Sequence, residues 1–268
     1  MKLCNFEVGN DKPFFLFAGP CVIENEKIAM ESAIMLKEIT SKLKINFIYK
    51  TSFEKNNRTS VNGYAGLEFS EAMRILRKIK EEVGVPILTD VHEYTPFDEV
   101  ATIADVLQTP SFLCRQTTFI KKVMGLNMPV NMKKGQFLSP MEMKNVVEKA
   151  RSGGNDKILV CERGTTFGYN NLIVDMRSLE IMKETGCPVI FDAGHSVQQP
   201  GSTGCSTGGQ REFIPVLAKA AMAVGIAGLF VETHPDPDKA LCDGPNMLPL
   251  SEMESLLVTL QRIDRAVK

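Results

Sequence analysis

Short apolar runs recur along the chain at 14–18, 47–49, 85–89, 106–108, 130–132, 158–161, 189–191 and 227–231, each bounded by polar or turn residues. Runs this short and continuous predict strands buried on both faces. Between them the apolar residues change period. Ile28, Ala29, Ala33, Leu36 and Ile39 fall at helical spacing, and so do Met73, Leu76 and Ile79. Helices are therefore expected over 27–43, 68–83, 97–104, 118–124, 141–151, 178–184, 211–224 and 251–267. Gly153-Gly154 supplies a C-cap after the fifth, and Ser251 with Glu254 a capping box for the last. Apolar runs at 3–8 and 14–18 flank Gly9-Asn10-Asp11, the signal of a short N-terminal hairpin or of a strand preceded by a turn. Strand and helix alternate throughout, which calls for a parallel sheet covered on both faces. The fold expected is α/β, a (β/α)8 TIM barrel with a short N-terminal β-hairpin, and it fits better than an open doubly wound sheet. No linker or low-complexity segment divides the chain, so residues 1–268 form a single catalytic-type domain.

Composition narrows the partners. A net charge of −1 provides no global field for nucleic acid or a membrane surface, so any anion must be held locally. Residues 1–10 lack the apolar core of a secretory signal. Seven cysteines, an odd number without framework spacing, suit reduced thiols in a cytoplasm. The stretch 213–231 approaches membrane-spanning length, but it contains Pro215, Lys219, Gly225 and Gly228. A buried helix, a turn and a strand explain it better.

In a parallel barrel the chemistry sits at the carboxyl ends of the strands. There the chain places Cys21 and Glu24, Lys50 to Ser60, Asp90, His92 and Glu93, Arg115 and Gln116, Lys133, Lys134 and Gln136. Glu162 and Arg163, Asp192, His195 and Gln198, and Glu232, His234, Asp236 and Asp243 complete the rim, which holds all three histidines of the chain. The stretch 47–60 is the densest. A buried run delivers Lys50, Ser52, Lys55, Asn57, Arg58, Thr59 and Ser60 in quick succession, a mixture of point charges, a bidentate fork, amides and hydroxyls suited to a sugar phosphate.

Lys50, Arg115, Lys133 and Arg163 come from four strands and are expected to converge on one compact anion, with Lys55, Asn57, Arg58 and Ser60 holding a second. The plain alternative is that each cation pairs with a nearby acid, which is not expected of all at once. Cys21, His195, Glu232 and Asp243 meet only if the barrel closes. Together they suit a divalent metal such as zinc, iron or manganese. Otherwise Cys21 is a small buried hydrophobe, as the other cysteines are read, Cys205 and Cys242 less firmly because they sit in polar loops. Gly204 to Gly208 matches the G-x-S-x-G elbow, yet follows no strand directly. The Gly- and Ser-rich segment 200–209 is expected instead to form a mobile lid.

Several motifs in order resemble the 3-deoxy-D-manno-octulosonate 8-phosphate synthases over nearly the whole chain. They are Ala18-Gly19-Pro20-Cys21-Val22-Ile23-Glu24, Lys55-Asn56-Asn57-Arg58-Thr59-Ser60, Thr89-Asp90-Val91-His92-Glu93 and Phe112-Leu113-Cys114-Arg115-Gln116. Asn131 to Gln136, Glu162 to Asn171 and Glu232 to Pro237 continue the series. The resemblance implies a (β/α)8 enzyme that condenses phosphoenolpyruvate with D-arabinose 5-phosphate, in a homotetramer. It places Lys50, Ser52, Arg115, Lys133, Gln136 and Arg163 on phosphoenolpyruvate, and Lys55, Asn57, Arg58, Thr59, Asp90, His92 and Gln198 on the pentose phosphate. Lys55, or a metal-bound water, would protonate the new alkoxide. Cys21 resembles the metal-dependent branch, with His195, Glu232 and Asp243 as fellow ligands, whereas Cys242-Asp243-Gly244-Pro245 is more similar to the metal-independent one. Asn56 stands where that loop usually has alanine. The sister synthase for erythrose 4-phosphate carries Lys-Pro-Arg-Thr-Ser here, and Asn56-Asn57 lengthens that loop toward the longer sugar. A non-catalytic sugar-phosphate-binding barrel would need only the anion anchors.

Overall fold

In the computed structural model, which describes residues 1–202 and 207–268, the apolar runs form eight parallel strands. These are β1 Phe15–Gly19, β2 Phe47–Lys50, β3 Ile87–Asp90, β4 Val106–Thr109, β5 Val130–Lys133, β6 Ile158–Glu162, β7 Val189–Asp192 and β8 Gly228–His234. Each pairs with the next, and β8 pairs with β1 in register from Gly228 against Phe15 to Glu232 against Gly19, so the sheet closes on itself. The helices between them are α1 Glu26–Leu43, α2 Phe69–Lys78, α3 Phe97–Ala101, α4 Thr117–Met124, α5 Met143–Arg151, α6 Arg177–Lys183, α7 Ile214–Val224 and α8 Met253–Val267. The apolar stretch at 213–231 resolves into α7, a turn at Gly225 (φ 82°) and β8. No helix among the described residues is long and apolar enough to cross a membrane.

Strand geometry sorts the barrel into two populations. Because side chains alternate across a strand, Leu16, Tyr49, Leu107, Val130, Phe191 and Leu229 face the helices and join the outer core. Phe15, Phe17, Ile48, Leu88, Val106, Leu159, Ile190 and Phe230 fill the barrel interior. Two residues further along the same inward face the chain turns polar: Ile48 gives way to Lys50, Leu88 to Asp90, Val106 to Gln108, Ile190 to Asp192 and Phe230 to Glu232. The inner face thus carries an apolar layer below a charged one, and the charged layer opens at the carboxyl ends of the strands.

The floor is sealed by an N-terminal hairpin, Lys2–Leu3 against Phe6–Glu7, whose Leu3 and Phe6 pack on the interior layer. Its turn lies at Cys4-Asn5, with Cys4 at φ 52°, and not at Gly9-Asn10-Asp11. Burial pushes the Cys4 thiol up to about 12. The capping box expected at Ser251 and Glu254 does not form. A 3-10 turn at Leu250–Glu252 precedes α8, and Glu254 pairs with Lys42 instead. A capping box forms at Ser139 and Glu142, ahead of α5. Cys114, Cys161 and Cys187 are buried thiols, while Cys205 lies outside the described residues.

Candidate active site at the barrel mouth

The charged layer is held together by reciprocal pairs. Lys50 Nζ lies 2.5 Å from Glu232 Oε1 and also donates to the Cys21 carbonyl at 3.1 Å and Ser52 Oγ at 3.2 Å. Lys133 Nζ meets Asp192 Oδ2 at 2.8 Å, and Lys55 is ion-paired with Asp243. Deeper, Lys134 is fully buried 3.4 Å from Glu162. Pairing is therefore general among the lysines but, among the described residues, does not extend to Arg58 or Arg163, so the cations do not all pair at once, as expected. Lys50 on β2 meets Glu232 on β8, and Lys133 on β5 meets Asp192 on β7, each pair two strands apart, because inward-facing residues at the same height share the closed interior.

These pairs fix the protonation of the mouth. Burial would raise Asp90, Asp192, Glu232 and Asp243, yet all four are held below the usual carboxylate range by facing cations. Lys50 and Lys133 act on Asp90, His195 and Lys133 on Asp192, Lys50 and His195 on Glu232, and Lys55 and His195 on Asp243. Burial would likewise push the Lys50 ammonium down, but Glu232 and Asp90 hold it above the ordinary lysine value. His92 shifts the other way. Its burial lowers it below the usual histidine value despite Asp90.

The guanidinium groups are differently placed. Arg163 is buried, and among the described residues it has no carboxylate partner within ion-pair distance. Its Nη2 donates to Gln198 Oε1 at 2.6 Å, and Gln136, with its amide oxygen turned inward, accepts from Nη1 at 2.8 Å. Arg58 donates to the Lys55 carbonyl at 2.8 Å. Both retain a buried Nε–H without a partner among the described residues. Buried donors without acceptors mark where an anion belongs.

Two adjoining cavities open on this layer. One is lined by Asp90, His92, Lys133, Arg163 and His195, the other by Arg58, Thr59, Ser60, Tyr64, Arg211 and Asp243, with a volume of about 300 Å³. Lys55 and Asn57 line both and stand at their junction. Thr59 Oγ1 lies 3.3 Å from Thr207 Oγ1 across the larger one. Asp90, His92 and Gln198, expected on the side of Arg58, lie on the side of Arg163. Ser52 is buried, bridging Lys50 and Asp90 at 3.2 Å to each.

Arg115 does not join Lys50, Lys133 and Arg163. It is exposed, lines neither cavity and meets Lys149 only through its backbone carbonyl. It sits beyond a 3-10 turn at Ser111–Leu113, which carries the chain away from the mouth after β4. Residues 203–206, which carry Gly204, Cys205 and Ser206 of the G-x-S-x-G match and the centre of the expected lid, lie outside the described residues. On either side of them, Gln198–Gln199 pairs with Gly208–Gly209 as a short ribbon.

Cys21, Glu232 and Asp243 bring one donor atom each within 4.8 Å of one another. His195 Nε2 lies 3.8 Å from Glu232 and 3.9 Å from Asp243. On the other side of the ring, Nδ1 lies 2.8 Å from Asp192, so a neutral ring that donates there turns its Nε2 lone pair toward this cluster. Glu232 Oε2 is buried with no hydrogen-bond partner among the described residues. Sulfur, imidazole nitrogen and two carboxylate oxygens with an unfilled acceptor are a donor set that fits a divalent transition metal. The Cys21 thiol is raised well above its ordinary value, first by a hydrogen bond with Cys242 and then by burial.

Sequence reasoning gave no role to Asp192, Gln108 or Asn131. Asn131 donates to Gln108 at 2.7 Å, and Gln108 in turn donates to Asp90. For Gln108 and Asp192 the signal was available as a polar residue two positions after an inward apolar one, Val106 and Ile190.

A closed eight-stranded barrel whose mouth carries paired lysines, uncommitted arginines and a metal-type donor set defines an α/β-barrel enzyme acting on anionic substrates. Residues 3–268 match the DAHP synthetase I family, and the chain belongs to that family. Proteins named 2-dehydro-3-deoxyphosphooctonate aldolase are similar to it along its entire length. The one from Thioalkalivibrio sulfidiphilus is 62% identical over 268 residues, covering 100% of this chain and 96% of the relative. Those from Stenotrophomonas maltophilia and Xanthomonas campestris pv. campestris are 62% and 63% identical, each covered to 97%.

Proposed function

We propose that this protein is a 3-deoxy-D-manno-octulosonate 8-phosphate synthase, condensing phosphoenolpyruvate with D-arabinose 5-phosphate and water. The observation that carries the reading is full-length similarity to the octonate aldolases. The two arginines lacking carboxylate partners, one in each of two joined cavities, support it. Arg163, Lys133, Gln136 and Gln198 hold phosphoenolpyruvate, with Lys50 and Ser52 beneath. Asn57, Arg58 and Thr59 hold the phosphate of the pentose, and Asp90 and His92 face its chain.

Holding two anions at one mouth lowers their repulsion and the entropic cost of meeting. The enol carbon C3 forms a bond to the aldehyde C1, whose oxygen takes a proton from Lys55 at the cavity junction. Water adds at C2 and gives up a proton that restores the Lys55 ammonium. The tetrahedral phosphohemiketal loses phosphate by C–O cleavage, its C2 hydroxyl proton passing to the leaving phosphate to leave the C2 ketone. A divalent metal held by Cys21, His195, Glu232 and Asp243 would polarise the aldehyde or its water. We place the enzyme in the cytoplasm as a homotetramer. Exposed Phe112, Phe137, Met141, Phe167 and Phe213, all on segments after β4 to β7, supply apolar surface for that assembly.

The test is phosphate release from phosphoenolpyruvate with arabinose 5-phosphate or erythrose 4-phosphate, with and without chelator, and sedimentation of the protein. Release with the pentose phosphate and not the tetrose phosphate is expected. The converse would assign the sister reaction, and no turnover with either sugar, metal supplied, would leave only a binding barrel.

A further inference from the structure

Lys55 sits inside the donor set described above. Its Nζ lies 3.0 Å from Cys21 Sγ and is ion-paired with Asp243, so it engages two of the three groups of that donor cluster. A metal bonded to sulfur and oxygen lies about 2.0 to 2.3 Å from each. Such an ion would stand within contact distance of the present Nζ position, two like charges with no group between them. We propose that Lys55 and a divalent metal are alternative occupants of one cation position, so that metal enters only as the lysine leaves. This rests on the metal reading under the proposed function.

The lysine has somewhere to go. It borders the cavity of about 300 Å³ shared with Arg58 and Thr59, and its backbone is anchored by the Arg58 bond to its carbonyl. Departure therefore needs only the side chain to turn. The ammonium's ion pair with Asp243 supplies a positive charge to the buried cluster at the position a metal would otherwise take.

The experiment is a cobalt(II) titration followed by the thiolate-to-cobalt absorption band, on wild type, K55Q and K55R, with no substrate present. Removing the competing charge should tighten cobalt binding about tenfold or more in K55Q, while K55R, which keeps the charge, stays within about threefold of wild type. Equal or weaker binding by K55Q overturns the proposal. Circular dichroism melts establish folding, and K55M repeats the measurement if K55Q is unfolded. Absence of the band from every protein removes the metal site itself and this proposal with it, whereas phosphate release by the same samples judges the enzymatic reading separately.

Discussion

Asp192 holds two functional groups at once, the Lys133 ammonium and the Nδ1–H of His195, both at 2.8 Å. Asp192→Asn keeps the shape and removes the charge. We expect kcat/KM for phosphate release to fall about 100-fold or more, because a misdirected imidazole and lysine are both lost. A change under threefold would show that Asp192 is structural only. On the proposed function, the two arginines, which line different cavities, separate the substrates. Arg163→Lys replaces a fork held by Gln198 and Gln136 with a point charge, and should raise KM for phosphoenolpyruvate about tenfold or more with a far smaller effect on the pentose phosphate. Arg58→Lys should do the reverse, and equal effects on both substrates would undo the two-cavity division. At this scale the rim residues were legible in the sequence, since each follows an apolar run. Their partners were not. No spacing links Lys50 to Glu232 or Lys133 to Asp192, which meet only through closure, and nothing local told Arg115 from the cations that point inward.

The first strand ends where it must cross close to the second. A side chain at Gly19 would place its Cβ 2.0 Å from the Lys50 carbonyl oxygen. Gly19→Ala should destabilise the protein by about 3 kcal/mol or more in urea unfolding, and should also displace Cys21 and Lys50. A variant as stable as wild type would mean that β1 and β2 can separate without cost. Leu3→Ala tests the hairpin as a floor, with about 3 kcal/mol expected from the cavity it leaves under the interior layer. Strands and helices were legible because apolar period differs between them, and the eight units emerged near their expected places. Turn and cap chemistry was harder to see. Cys4 adopts a left-handed conformation that the sequence assigns more readily to glycine or asparagine. Ser139-x-x-Glu142 and Ser251-x-x-Glu254 look alike in sequence, yet Lys42 from α1 recruits Glu254, and only packing decides between them.

At the scale of the molecule, a barrel that buries ionised groups at its mouth has a stability that depends on pH in one direction below neutral pH. The folded values of His92 and Asp90 lie below their ordinary values of 6.5 and 3.8. As pH falls through about 6.5 the unfolded chain takes up a proton at His92 before the folded one does, and the same happens at Asp90 around 3.8. The unfolded state therefore binds more protons, and stability present at neutral pH is lost on acidification. The melting temperature should hold level from pH 8 to 7, decline gently below about 6.5 and fall more steeply below about 4.5, where Asp192, Glu232 and Asp243 add slopes of the same sign. His92→Gln should flatten the upper part of that curve and Asp90→Asn the lower part, although Asp90→Asn starts lower at pH 7 because Lys50 and Lys133 lose a counter-charge. Calorimetry of the three proteins between pH 3 and 8 measures this, and a melting temperature that rises as pH falls from 7 to 5 would show that the mouth is not held ionised as its packing requires.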